Sequence, residues 1–316
     1  MTMKLAFIFP GQGSQRVGMG KEIFDSHDSV KKWYESVDEA LGYSLSSLCF
    51  DGPEDELGMT LNTQPAIVAT SYALYSVFEQ SGIKPVCVAG HSVGEYSALA
   101  AAQALPAIDL VKLVHMRGQF MDEACPAGTG GMAALVGMDQ GKAQSLIDGI
   151  QGELKAGQSL DVAGLNCPGQ VVVAGHVEAL DLAVAKVRDF GGRVGMKLNV
   201  SGPFHSRLMA GAEEQLSAKL SSCSFQAPSV PVVTNVSAKG LTEPEKLQQD
   251  LMAQLTKPVR WEESIQEILA SGVEAFVEFG AGNVLAGMIK KIDRKVKVYG
   301  VADTQSLEKA LQELSQ

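Results

Sequence analysis

Pro85-Val86-Cys87-Val88-Ala89-Gly90-His91-Ser92-Val93-Gly94-Glu95-Tyr96-Ser97-Ala98-Leu99-Ala100-Ala101-Ala102 is the stretch from which the fold follows. A short apolar run stops at Gly90 and an alanine-rich, helix-forming run starts after Gly94, so the stretch reads as strand, sharp turn and helix. The turn carries Gly-x-Ser-x-Gly, the nucleophile elbow, whose glycines relieve crowding around a strained serine and let a reacting carbonyl approach it. By itself the pattern also describes an ordinary strand-to-helix turn; the strand before it and the helix after it favour the elbow, with Ser92 as nucleophile. The helix start leaves N–H groups free, that of Val93 among them, to donate to a developing oxyanion.

Upstream, Leu5-Ala6-Phe7-Ile8-Phe9 reads as a buried strand running into Pro10-Gly11-Gln12-Gly13-Ser14-Gln15. A dinucleotide fingerprint there would need a glycine at position 16, where Arg16 stands. A turn that supplies a second oxyanion donor, the N–H of Gln12, fits the elbow better. Val30, Trp33, Tyr34, Val37 and Leu41 fall at helical spacing with Gly42 as the stop, and Pro65 is expected to open another apolar helix. After the elbow, Pro106 starts a helix whose Leu110, Leu113, Val114 and Met121 form a core-facing stripe. Arg117 lies on that stripe. Burying an unpaired guanidinium is costly, so it is tied to a structural carboxylate or held for an anionic ligand. His115 falls off the stripe and reads as a surface residue.

Cys125-Pro126-Ala127-Gly128-Thr129-Gly130-Gly131 is the clearest linker. It is followed by strand 132–137, helix 139–150, strand 160–166, a turn at Cys167-Pro168-Gly169, strand 170–174, helix 177–190 and strand 193–200. That βαββαβ order is the ferredoxin-like unit, here inserted into a larger α/β domain. The expected division is 1–127 with 201–316 for the main domain and 128–200 for the insertion. Ser201-Gly202-Pro203-Phe204-His205-Ser206 returns the chain to the main domain. Of the five histidines, His91 abuts the nucleophile and should project away from it, and His27 and His176 fall in helix-start or turn contexts. His205 is left as the base. Further on, 230–234, 274–279 and 296–301 read as strands, and 251–261 as a helix that ends before Pro258.

With 316 residues, 46% of them hydrophobic, the chain can bury a large core. Its formal charge of −10 argues against general nucleic-acid binding. No apolar run approaches the roughly 20 residues of a membrane span, and no leader pattern precedes the first strand, so a cytoplasmic location is expected. Cys49, Cys87, Cys125, Cys167 and Cys223 are odd in number and lack metal-ligand spacing, which points to reduced thiols and no metal.

Phe9-Pro10-Gly11-Gln12-Gly13-Ser14-Gln15, Gly90-His91-Ser92-Val93-Gly94-Glu95-Tyr96, Arg117, Asn166-Cys167-Pro168-Gly169-Gln170, Pro203-Phe204-His205-Ser206 and Gln254 together resemble the malonyl-CoA:acyl carrier protein transacylases. The resemblance implies a hydrolase-like α/β domain with a ferredoxin-like insertion. It further implies a Ser92 acyl-enzyme, His205 as base, an oxyanion hole from the N–H groups of Gln12 and Val93, and Arg117 clamping the malonyl carboxylate. Gln254 falls where the family orients its histidine through a carbonyl oxygen, which makes a triad acid unnecessary. Phe204 matches the malonyl-selective members. Gly280-Ala281-Gly282 departs from the family, which has proline in the middle, and should loosen that loop.

The implied reaction takes malonyl from malonyl-CoA to the phosphopantetheine thiol of acyl carrier protein, with no metal or bound cofactor. A serine esterase or thioesterase on the same elbow is the nearest alternative, and a non-catalytic carrier-docking subunit is another; retention of Ser92 and His205 argues against the second. Acyl carrier proteins are acidic, and so is this chain, so docking needs local basic groups. Two clusters qualify: Lys290, Lys291, Arg294, Lys295 and Lys297, and Lys186, Arg188, Arg193 and Lys197 in the insertion. Lys290 and Lys291 are the docking candidates, provided that the insertion packs over the elbow.

Overall fold

A computed structural model describes residues 3–126 and 128–315. Its strands, in chain order, are β1 (Leu5–Phe9), β2 (Cys87–Gly90), β3 (Gly130–Val136), β4 (Leu160–Cys167), β5 (Gln170–His176), β6 (Val194–Lys197), β7 (Val232–Val233), β8 (Gly240–Leu241), β9 (Ala275–Phe279) and β10 (Lys297–Val301). They form two sheets. One has the order β10-β9-β1-β2-β7-β8 and the other β4-β5-β3-β6.

In the first sheet every pairing is parallel except the β7–β8 hairpin at one edge. β1 lies in its middle, and all five of its side chains are buried. Leu5, Phe7 and Phe9 face a large core with Tyr75, Phe78 and Phe279, while Ala6 and Ile8 face a second core with Trp261, Ile265 and Phe276. A parallel sheet covered on both faces needs such an unbroken apolar run rather than an alternating one.

The second sheet is antiparallel and carries helices Gln140–Ile150 and Val177–Lys186 on one face, around a separate core of Leu135, Leu146, Val173 and Leu180. Its strand order is the ferredoxin-like one. The opposite face contributes Met132, Ala163 and Val172 to the main core. The insertion therefore packs against the main body beside the elbow. Ala127, the end of the first expected segment, lies outside the described residues, as do positions 1, 2 and 316.

Several local expectations need correction. Pro65 does not open its helix, which runs Thr60–Glu79 and contains the proline in its first turns. Pro65 has no N–H for the carbonyl of Leu61 four residues earlier, and the ring of His115 takes its place: Nδ1–H donates to Leu61 O at 3.1 Å. His115 is thus half-buried and bonded, not a surface residue. The helix read at 251–261 is the end of one that starts at Pro244 and stops at Ala253; a new helix, Trp261–Ala270, begins after Pro258. The second helix of the insertion ends at Lys186 rather than Phe190, its last strand spans only Val194–Lys197, and β7 is two residues long.

The glycine-rich loop 280–282 is anchored at its start. Gly280 N–H donates to Val301 O at 3.1 Å and Ala281 is buried. A Cβ on Gly280 would lie 2.4 Å from Pro10 Cγ, so this loop packs directly on the β1 exit.

Candidate active site

Three chain segments meet at the elbow because glycine lets them. A Cβ on Gly94 would stand 2.2 Å from Phe9 O, one on Gly11 2.4 Å from His91 O, and one on Gly90 2.0 Å from Gly94 O. The β1 exit loop therefore lies directly against the turn after β2, and His91 N–H donates to Phe9 O at 3.0 Å. Helix Gly94–Ala101 starts at this junction with Val93 as its N-cap. Among the described residues the backbone N–H groups of Val93 and Gln12 donate to no protein acceptor. The first is one of the donors any helix start leaves unpaired.

Ser92 has φ 52° and His205 φ 60°, both in the left-handed region that ordinary side chains avoid. His205 stands in the Pro203–Ser206 loop, which Ser206 braces: its hydroxyl donates to Pro203 O at 2.6 Å and accepts from Leu208 N–H at 3.3 Å. His205 Nε2 lies 2.7 Å from Ser92 Oγ, and its Nδ1 lies 2.8 Å from the backbone carbonyl of Gln254. A carbonyl only accepts, so Nδ1 carries the hydrogen and Nε2 offers its lone pair to the serine. Gln254 caps the end of helix Pro244–Ala253, where carbonyls lack helical partners and the dipole is negative. Burial, with Arg117 nearby, pushes the His205 pKa down to about 3, so the imidazole is neutral near pH 7.

Arg117 is buried, at 1% exposure, on helix Ala107–Ala124. Its Nη1 donates to Gln64 Oε1 at 2.7 Å, and its Nη2 donates to Gln254 Oε1 at 3.1 Å and to Ser92 Oγ at 3.2 Å. All of these acceptors are neutral, and among the described residues the Nε–H has no partner. The sequence left open a structural carboxylate or a ligand for this cation; no carboxylate is paired with it among the described residues.

A cavity of about 250 Å³ opens on these groups. Gln12, His91, Ser92, Arg117, Phe204 and His205 line it from the main domain; Met132, Ala134, Gly164, Asn166 and Val172 line it from the insertion. His91 points away from the serine, as expected, and its Nε2 meets Asn166 Oδ1 of β4 at 2.9 Å, joining the two lobes.

Beneath the elbow, sequence reasoning missed a buried polar network. Asn235 Nδ2 donates to Gly90 O at 2.6 Å, and its Oδ1 accepts from Ser92 N–H at 2.7 Å. Its own N–H donates to Glu95 Oε2 at 2.8 Å. Burial raises the Glu95 carboxyl to about 8. Gln64 and Glu95 each sit in a helix whose neighbours are nearly all buried, and that is the one signal that marks them.

The basic clusters are only partly brought together. A groove of about 530 Å³ adjoins the cavity, sharing Ala134 and Gln170 with it, and gathers Arg193, Lys290, Lys291 and Arg294. Lys291 Nζ donates to Gln170 Oε1 at 3.1 Å. Lys186, Lys197 and Lys297 instead pair with Glu153, Asp181 and Glu313. Among the described residues no three His, Cys, Asp or Glu side chains gather to hold a metal ion, and no helix is long and apolar enough to cross a membrane.

The acyl transferase domain family matches residues 6–309. The chain is 45% identical over 313 residues to the malonyl CoA-acyl carrier protein transacylase of Bacillus subtilis, covering 99% of this chain and 98% of that protein. The Escherichia coli K12 protein of the same name is 41% identical, covering 98% and 99%. Among solved structures, the malonyl CoA-acyl carrier protein transacylase of Coxiella burnetii superimposes with a TM-score of 0.95 at 37% identity, covering 100% and 99%. A type II PKS acyl-carrier protein in complex with its malonyl-transacylase provides another match, at TM-score 0.94 and 37% identity, covering 98% and 99%. By fold, by sequence along nearly its whole length and by the groups gathered at its elbow, this chain belongs to the malonyl-CoA:acyl carrier protein transacylase family of acyltransferases.

Proposed function

We propose that this chain moves malonyl from malonyl-CoA to the phosphopantetheine thiol of acyl carrier protein by way of a Ser92 acyl-enzyme, supplying fatty-acid or related polyketide synthesis. His205 Nε2 takes the Ser92 hydroxyl proton as Oγ attacks the thioester carbonyl. The tetrahedral oxyanion accepts from the N–H groups of Gln12 and Val93, each donor contributing on the order of 3 kcal/mol. Collapse expels the coenzyme A thiolate, which takes the proton from His205. In the second half the carrier thiol gives its proton to His205, attacks the acyl-enzyme and releases Ser92, which is reprotonated. The imidazolium formed in each half is stabilised by the Gln254 carbonyl, with no carboxylate paired to it among the described residues.

The observation that carries the reading is Arg117, a buried cation whose hydrogen bonds all go to neutral groups, 3.2 Å from the nucleophile. A malonyl group on Ser92 brings a carboxylate to it, and two charge-assisted bonds from a guanidinium suit that anion. The reaction calls for no bound cofactor. Five free cysteines suit a reducing cytoplasm. The separate core of the second sheet supports 128–200 as a subdomain set into a catalytic domain of 1–127 and 201–316. The adjoining groove supports Lys290 and Lys291 as carrier-docking residues.

The test is a chase. After acylation by malonyl-CoA and removal of free nucleotide, the acyl group is expected to pass to added carrier protein far faster than to water. Release to water at the same rate with and without carrier would make the protein a thioesterase.

A further inference from the structure

Gln254 serves both halves of the site. Its backbone carbonyl holds His205, and its side-chain carbonyl accepts from Arg117. Only the second contact depends on which way the side-chain amide faces. The two ends of a primary amide are nearly equal in size, and turning this one over would set an NH2 donor against the guanidinium. Three acceptors gather at Nε2 and oppose that turn: Ser92 O at 3.1 Å, Glu95 Oε2 at 3.1 Å and Asn235 Oδ1 at 3.4 Å. Two of the three depend on Glu95, because the same Oε2 accepts the Asn235 N–H at 2.8 Å and so fixes where Asn235 stands. Glu95 is 1% exposed and, among the described residues, forms no salt bridge, so its carboxyl is kept in the protein interior for these hydrogen bonds.

We propose that Glu95 is a positioning residue for acyl-group selectivity: by holding the Gln254 amide and Asn235 it aims Arg117 at the carboxylate of the group carried on Ser92. The Glu95 backbone N–H donates to Ser92 O at 3.0 Å, as a helix start does, but its side chain bonds only Asn235 and Gln254 and acts through Gln254. The inference rests on the reading of Arg117 as the carboxylate clamp.

The experiment compares acylation by malonyl-CoA and acetyl-CoA, and the pH profile of malonyl acylation, in the wild type, Glu95→Met, Glu95→Gln and Arg117→Ala. Met removes the acceptor at similar length; Gln keeps an oxygen that accepts both bonds. Glu95→Met is expected to lower the malonyl-to-acetyl ratio about tenfold, the scale of one misdirected charge-assisted bond, and Glu95→Gln to restore most of it. The pH profile should keep its shape, since the His205 contact is to backbone. A ratio left at the wild-type value in Glu95→Met, or equal loss with both donors that Gln does not restore, overturns the proposal. If Arg117→Ala also leaves the ratio unchanged, the clamp reading fails with it; if Arg117→Ala lowers the ratio and Glu95→Met does not, only the role of Glu95 falls.

Discussion

Ser92 and His205 hold backbone angles that favour glycine, at a cost on the order of 1 to 3 kcal/mol each, and they persist because their neighbours leave no alternative. Asn235 bonds the Ser92 N–H, Ser206 braces the His205 loop, and the two side chains meet at 2.7 Å. The depressed pKa of His205 has a kinetic consequence. A base already neutral at an ordinary histidine value of 6.5 loses nothing as pH falls through that point. The kcat/KM for acylation, which reports the free enzyme, is expected to stay level between about pH 5 and 7; an acid limb centred near 6.5 would contradict the environment described for His205. For Arg117→Ala the malonyl-to-acetyl ratio is expected to drop roughly 10-fold to 150-fold, the worth of about 1.5 to 3 kcal/mol, as read from acylation rates with the two donors.

At the scale of elements, the elbow depends on the closeness of β1 and the helix that starts at Gly94. Gly94→Ala puts a methyl 2.2 Å from Phe9 O, where only backbone can give way. The expected loss is about 1 to 3 kcal/mol, seen as a lower denaturation midpoint with unchanged slope; wild-type stability would mean that the junction is looser than described. Strand, turn and helix were legible here because glycine spacing and apolar runs are local signals. The βαββαβ order of the insertion was legible for the same reason. The Thr60–Glu79 helix was misread because its proline is compensated from a distance, by His115, and no pattern in the segment itself records that partner. Gln64, Glu95 and Asn235 escaped for a related reason. Each is a common polar residue whose meaning lies in partners far along the chain, 53 residues for Gln64 and Arg117 and 140 for Asn235 and Glu95. Gln254 was found only through family resemblance, since its working atom toward His205 is a backbone carbonyl.

Across the whole molecule, an acidic protein must receive an acidic partner, and charge is locally reversed where Arg193, Lys290, Lys291 and Arg294 share a groove beside the cavity. Reversing Lys290 and Lys291 to Glu is expected to leave acylation by malonyl-CoA within about twofold while slowing transfer to carrier protein about tenfold at low salt, the defect shrinking as salt rises. Equal loss in both half-reactions, or none in either, would remove these lysines from docking. The central claim is that the acyl group rests on one hydroxyl at the elbow, and the most direct measurement of it is the mass of the intact protein after brief exposure to malonyl-CoA, with the adduct located by peptide mapping. The expected result is a single malonyl group on Ser92, absent in a folded Ser92→Ala variant; a stable malonyl adduct on any other residue of that variant, or none on Ser92 in the wild type, would contradict the account.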